Sequence, residues 1–449
     1  MLKAMNYKIV KYSLFIFLVA LLVRLVYALL FVELEYLFTE DQTLYVNLAK
    51  QFSKSGFLGI SLERMPGYPL FLSFIHAIFG KDMWNVIIIQ MLLDSVSCVV
   101  IALIAKSLFI RGFWIAGGLS VFNLNMIILS ASLLADTLFL FLFVLFLFSL
   151  VRYLQSAHVG WLLLLVLFIS MSTLVRASSY YLLPILLVIL LGWRLLNKDN
   201  VFKICVILIL YLIVIAVSLG GIHKRNYQQY NSVSLVSQTG KHMIGWVVPA
   251  TYQYSGQGSY QEGQLLAREK LNLSLQSDNL SILPDDPFER SAYQTNVGKQ
   301  VLLEFGFINI LKAWAVGSVV NLLAPSVAFS PALRSMDHPS FYGTKGDGIV
   351  DKIFNYIKNS NGFFYLSILM IGTVISIVFT ILAIAGALKM VFEFKTVIVA
   401  TLLILVGYFL AITGPVVGVK YRLPIEPILI LFVTYFINEY FSKIRKNPY

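Results

Sequence analysis

Lys11-Tyr-Ser-Leu-Phe-Ile-Phe-Leu-Val-Ala-Leu-Leu-Val-Arg24-Leu-Val-Tyr-Ala-Leu-Leu-Phe-Val32 decides the class of this chain, and Thr39-Glu40-Asp41-Gln42-Thr43-Leu44-Tyr45 follows it closely. The first run is long enough for the ~20 residues that a helix needs to cross a bilayer. The second places an acidic pair at the outer mouth of that span. A carboxylate held at a membrane surface is well placed to act as a general base. The competing reading of Asp41 is a solvated loop acid.

Composition supports the membrane reading. Hydrophobic residues make up 59% of the chain and charged residues 12%, and the mean hydropathy is +0.83. These values exclude a soluble domain and point to an all-α polytopic membrane protein. The net charge of +12 does not mark a nucleic-acid binder, because the basic residues sit in short connections between apolar runs, as the positive-inside rule produces. Cys98 and Cys205 lie inside apolar runs without metal-ligand spacing and read as small buried hydrophobes. His76, His158, His223, His242 and His338 share no spacing and form no metal motif. The absence of a phosphate-binding glycine loop argues against a nucleotide-fuelled pump. Lys3, Lys8 and Lys11 precede the first span, and no small-residue cleavage site follows it. A retained span with a cytoplasmic N-terminus is expected.

Ten spans are expected, at 11–32, 84–106, 112–131, 133–152, 160–175, 178–194, 202–222, 363–388, 396–413 and 424–441. The inner connections then carry Lys106, Arg111, Arg152, Arg194, Lys198, Lys203, Lys389 and Lys395, while the first outer loop holds Glu33, Glu35, Glu40, Asp41, Glu63 and Asp82. Both termini fall inside. The apolar segment 305–327 is read as a helix lying in the outer interface, since one further crossing would invert the basic C-terminal loops. Three units follow: residues 1–222 as a seven-span catalytic module that includes outer loop 33–82, residues 223–361 as a large outer loop with interfacial helices, and residues 362–449 as a three-span module. The stretch Tyr252–Tyr260, rich in Tyr, Gln, Ser and Gly, suits an acceptor surface for sugars, or is ordinary loop.

Several charges need reasons. Arg64-Met-Pro-Gly-Tyr-Pro69 is a rigid turn that aims Arg64 from near the membrane surface, towards a lipid phosphate or bulk headgroups. Asp136 lies in the tight turn before the fourth span, either as a functional acid or as a cap aided by the helix dipole. Arg176, Lys420 and Arg422 fall on the outer face against the orientation rule. An anionic ligand explains them, as does pairing with Glu426 or outer headgroups. Arg24 and Asp94 lie inside spans one and two, within about 5 Å of the same depth at ~1.5 Å rise per residue. A structural ion pair locking those spans is expected.

Taken in order, Asp41-x-x-x-Tyr45-x-x-Leu48-Ala49, Arg64-x-Pro-Gly-Tyr-Pro69, Gln90-x-x-Leu-Asp94, Ala135-Asp136-Thr137, Leu174-Val-Arg176 and Tyr421-Arg-Leu-Pro-Ile-Glu-Pro427 resemble the GT-C membrane glycosyltransferases of the bacterial family-39 type, relatives of protein O-mannosyltransferases and lipid A aminoarabinose transferases. The resemblance implies an inverting transfer of a sugar from a polyprenyl-monophosphate donor to a glycan, lipid or protein acceptor on the outer face of a bacterial inner membrane. It makes Asp41 the general base, with Glu40 as its rival because the order Glu40-Asp41 reverses the usual Asp-Glu pair. Asp136, Glu40 and Tyr45 would orient the acceptor or the loop. Arg64, Arg176, Arg422 and Lys420 would hold the donor phosphate. No metal or cofactor is expected. Two other readings stand beside it: an O-antigen-type polymerase or ligase using a diphosphate-linked donor, with its essential residues in 223–361, and a lipid or glycan flippase without covalent chemistry.

Overall fold

A computed structural model describes residues 2–33, 35, 40–56, 61–109, 111–336, 338–341, 343–360, 362–394 and 396–446, and every regular element among them is helical. Seven helices are long and apolar enough to cross a membrane, and nine if two bent pairs each count as one. All ten expected spans are helical. The third is a pair, Gly112–Val121 and Leu124–Ser130, bent by 51°. The fifth and ninth, Val159–Val175 and Val397–Thr413, are 17 residues each.

Local chemistry sets these boundaries. Asp82 accepts from the Trp84 N–H at 2.9 Å and starts the helix Met83–Leu108. Asn200 accepts from the Lys203 N–H at 3.1 Å and starts Val201–Tyr230. Asn123 makes the bend in the third span. Its Oδ1 accepts from the Met126 N–H at 3.0 Å, capping the second half, while its Nδ2 donates to Glu426 at 3.0 Å.

The bundle is centred on Asp136–Ser156 and on the segment Val419–Tyr440, the two most buried of the apolar helices, and Val201–Tyr230 is the most peripheral. Outward apolar side chains such as Val217, Ile371 and Val374 are exposed in the isolated chain. Such a girdle suits lipid tails as its solvent. Cys98 is buried in the bundle, whereas Cys205 lies on the exposed side of Val201–Tyr230, because that helix offers few inward positions.

Within this apolar interior, Arg24 Nε lies 2.5 Å from Asp94 Oδ2, and both residues are fully buried. The guanidinium also donates to Ala20 O at 3.1 Å, Val121 O at 3.2 Å and Cys98 Sγ at 3.1 Å. Val121 ends the first half of the bent span, so its carbonyl has lost its helical donor. One arginine thus ties spans one, two and three, and fills a gap that the bend creates.

Between spans seven and eight the chain forms Thr239–His242, running through a π-turn at Met243–Val247 into Val248–Ser255, then Tyr260–Ser277, Pro287–Phe305, Phe307–Leu323 and Ile349–Asn359. A separate apolar cluster, including Val248, Ala267, Val301 and Phe305, holds the first of these together. The Tyr252–Tyr260 stretch is not an open sugar-facing loop. Tyr254 and Tyr260 are buried and face the Lys352 ammonium with Phe341. That ammonium donates to Gln253 Oε1 at 2.7 Å, so the rings are committed to packing around a cation. The helix Phe307–Leu323 turns 104° from its predecessor and packs against Phe363–Phe394 and Val397–Thr413. Gly317 permits that approach, since a Cβ there would meet Gly414 O at 2.5 Å. Asn321 then donates to Val416 O at 3.0 Å and accepts from the Gly418 N–H at 2.9 Å, pinning the chain just before Lys420.

Removing one partner of a buried pair strands the other, whereas removing both with apolar replacements does not. Asp94→Ala is therefore expected to destabilise by about 3–5 kcal/mol, and Arg24→Met with Asp94→Leu by less. Thermal unfolding of the purified variants in detergent checks this; a double variant less stable than Asp94→Ala would refute it.

Candidate active site

The helix Glu40–Ser55 carries Asp41 in its first turn, where the helix dipole favours a negative charge. Opposite it stands the turn that presents Arg64. Ser61 Oγ accepts from the N–H groups of Glu63 and Arg64 at 3.1 and 3.2 Å. Gly67 lies against the end of the fifth span, and a Cβ there would meet Leu174 O at 2.7 Å. Tyr68 is buried, donates to Gln90 Oε1 at 2.7 Å and packs edge-on to Tyr45 with 5.0 Å between ring centroids. Gln90 in turn donates to Ser132 O at 2.6 Å. The turn that carries Arg64 is thereby bolted to the second span and to the turn before Asp136.

Charges converge on this platform. Arg64 Nη2 lies 2.9 Å from Asp41 Oδ1, and Lys420 Nζ lies 3.3 Å from Asp41 Oδ2. Asp136 accepts from Arg176 Nη1, and the Arg176 guanidinium stands 5.6 Å over the Phe139 ring. Tyr45 sits in the field of all four of Asp41, Arg64, Asp136 and Arg176, and burial pushes its hydroxyl up, so it stays protonated. Arg64 Nη1 donates to Gln238 Oε1 at 3.2 Å. Burial, reinforced by Lys420 and Arg64, depresses the His242 imidazole to about 4, leaving it neutral at pH 7.

The contributors come from the connections after helices one, three, five and seven and from the start of the tenth, so they share one end of the bundle. The opposite end carries its own pairs, Arg194 with Asp199 at 2.7 Å and Lys389 with Glu439 at 3.8 Å. Burial works against ionisation of Asp41, but Lys420 and Arg64 outweigh it and hold the carboxyl below its ordinary value. Asp41 is therefore ionised, and while doubly paired it is a weak base. Three cations, Arg64, Arg176 and Lys420, face two carboxylates, Asp41 and Asp136. That excess positive charge suits an anion.

One residue expected at the site, Arg422, lies elsewhere. Arg422, two residues from Lys420, turns inward on the same short helix. Its Nε lies 2.7 Å from Glu426 Oε1, its Nη1 donates to Leu322 O, and it is buried. It braces the turn that carries Lys420 and does not reach Asp41. The side chain of Glu40 lies outside the described residues. His338 stacks on Tyr365 at 4.8 Å. Gln238 and His242 had no role in the sequence reading. They stand four apart in a loop without a motif, and only folding brings Gln238 to Arg64 and His242 into the field of Lys420 and Arg64. Among the described residues, no three His, Cys, Asp or Glu side chains gather as a metal site. A cleft of about 450 Å³ lined by Ser340, Thr344, Lys345, Asn355 and Asn359 includes none of the charged cluster.

Residues 63–219 match the sequence model of the family described as "Dolichyl-phosphate-mannose-protein mannosyltransferase". No curated protein matches the chain. Among solved structures, the archaeal oligosaccharyltransferase AglB from Archaeoglobus fulgidus, in complex with an inhibitory peptide and a dolichol-phosphate, overlays 98% of this chain and 51% of its own at 11% identity and a TM-score of 0.54. The apo form of the same organism's oligosaccharyltransferase gives 97%, 51%, 11% and 0.53. ArnT from Cupriavidus metallidurans, bound to undecaprenyl phosphate, overlays 98% of this chain and 78% of its own at 11% identity and a TM-score of 0.38. The chain spans about half the length of the archaeal proteins. It shares their fold.

Gly67 tests the platform without touching a charge. A Cβ would press on backbone at Leu174, so Gly67→Ala should cost about 1–3 kcal/mol by overpacking, seen as a lowered thermal midpoint in detergent. An unchanged midpoint would mean that the turn is not seated on Leu174.

Proposed function

We propose that this chain is an inverting glycosyltransferase. It takes a sugar from a polyprenyl-monophosphate donor and passes it to an acceptor hydroxyl on a glycan, lipid or protein. In this reading the site opens on the outer face of a bacterial inner membrane, with both termini cytoplasmic. The observation that carries the proposal is Asp41 held between Arg64 and Lys420, beside Asp136–Arg176.

That arrangement suits a reaction with an anionic leaving group and a hydroxyl nucleophile. Arg64 and Lys420 bind the donor phosphate, with Arg176 behind them, and stabilise the charge that develops on it. The phosphate draws both cations towards itself and weakens their hold on Asp41. With its partners shared, the Asp41 carboxylate becomes a stronger base and takes the proton from the acceptor hydroxyl. The hydroxyl oxygen bonds to the anomeric carbon as the bond from that carbon to the phosphate oxygen breaks, and the electron pair leaves with polyprenyl phosphate. Asp136 holds Arg176, Tyr45 lies in the field of both ion pairs, and Arg422 keeps the Lys420 turn in place.

The distribution of the charged cluster favours this reading over a diphosphate-dependent polymerase. The large loop supplies Gln238 and His242, while every charged member comes from the rest of the chain.

With protein in lipid, a panel of polyprenyl-monophosphate sugars and candidate acceptors, wild type should release polyprenyl phosphate, and Asp41→Asn should lose at least ~100-fold in rate. Equal release by both proteins would remove Asp41 as the base. Because Asp41 competes with phosphate for the same two cations, Asp41→Asn should also bind polyprenyl phosphate about tenfold more tightly, about 1.4 kcal/mol. Titration calorimetry in detergent reads this. Unchanged or weaker binding would show that Asp41 does not occupy the phosphate's place.

A further inference from the structure

Arg64 has a second partner besides Asp41, and it comes from the large loop. After the helix Val201–Tyr230 the chain reverses at Asn231, which adopts a left-handed conformation with φ of 48°. It then runs as a strap from Ser232 to Gln238. The strap is fixed along its length. Buried Asn226 donates to Ser234 O at 2.7 Å and to Leu235 O at 3.1 Å. Leu235 packs with Ile222 and with Met65, the neighbour of Arg64. The Ser237 N–H and Oγ both donate to Leu62 O, at 2.8 and 3.1 Å. Just beyond, the Gly240 N–H donates to Ser291 Oγ at 2.9 Å. Gln238 is therefore delivered to Arg64 by backbone held on both sides, and its Oε1 accepts from Arg64 Nη1 at 3.2 Å while Nη2 faces Asp41 at 2.9 Å.

The chemistry of this contact is specific. An arginine side chain has many rotamers, and a single ion pair leaves its planar fork free to swivel. A second acceptor on the other terminal nitrogen fixes the plane. A carboxylate in that place would cancel the charge, whereas an amide oxygen orients the guanidinium and leaves it fully cationic. We infer that Gln238 is a positioning residue that sets the Arg64 guanidinium for the donor phosphate. Through it the strap 232–238 forms one wall of the site. This rests on the proposal that Arg64 binds that phosphate.

The test is a double-mutant cycle on binding of a short-chain polyprenyl monophosphate to the full-length protein in detergent, read by titration calorimetry, with thermal midpoints recorded in parallel. Gln238→Ala should weaken binding about three- to tenfold in the wild-type background and leave it unchanged in the Arg64→Ala background, since its only route to the ligand is then gone. An equal loss in both backgrounds would mean that Gln238 acts through general stability and would overturn the inference, as would no loss in wild type. If Arg64→Ala itself leaves phosphate binding intact, the role of Arg64 falls and the inference falls with it. That outcome differs from the additive one, in which Arg64 matters and Gln238 does not act through it.

Discussion

One carboxylate held by two cations from distant parts of the chain organises this protein. Asp41 meets Arg64 from the turn that follows its own helix and Lys420 from the last span. Neither cation is placed by local sequence alone. Arg64 depends on a turn seated against Leu174, and Lys420 on Asn321 gripping the backbone at Val416 and Gly418. The bent third span enters here too, because Asn123 at the bend donates to Glu426, the partner of Arg422 below Lys420.

Exposure separates the charges that brace the bundle from those available to a ligand. Arg24, Asp94, Arg422 and Glu426 have side chains at most 4% exposed, and their interactions close on other protein groups. Such pairs lie too deep for solvent to replace a lost partner. The side chains of Asp41, Arg64 and Lys420 are 35%, 26% and 29% exposed. Charges so accessible gain little from one another in stability, which leaves them free to exchange partners when an anion arrives. The same accessibility makes it reasonable for a neutral amide, Gln238, to be the group that restrains Arg64.

Much of this was legible before folding. Hydropathy located all ten helices, because apolar length is a local property. Alternation of the connections put Asp41, Asp136, Arg176 and Lys420 on one face, and rise per residue gave Arg24 and Asp94 a common depth. Arg422 and Glu426 stand four apart, the spacing of helical neighbours. Other features were not legible. Tyr254 and Tyr260 read as open loop, yet they enclose Lys352, ninety or more residues away. Lys420 and Arg422 read alike, and a short helix sends one towards Asp41 and the other towards Glu426.

The chain by itself therefore determined its class, its helices and the end of the bundle where its unpaired-looking charges gather, since each follows from composition or from spacing along the sequence. Tertiary structure decided which charge meets which, and that Gln238 belongs beside Arg64. Those outcomes depend on side-chain direction and on contacts between segments hundreds of residues apart. Distances of 2.9 and 3.3 Å to one carboxylate are set only when every intervening helix has packed.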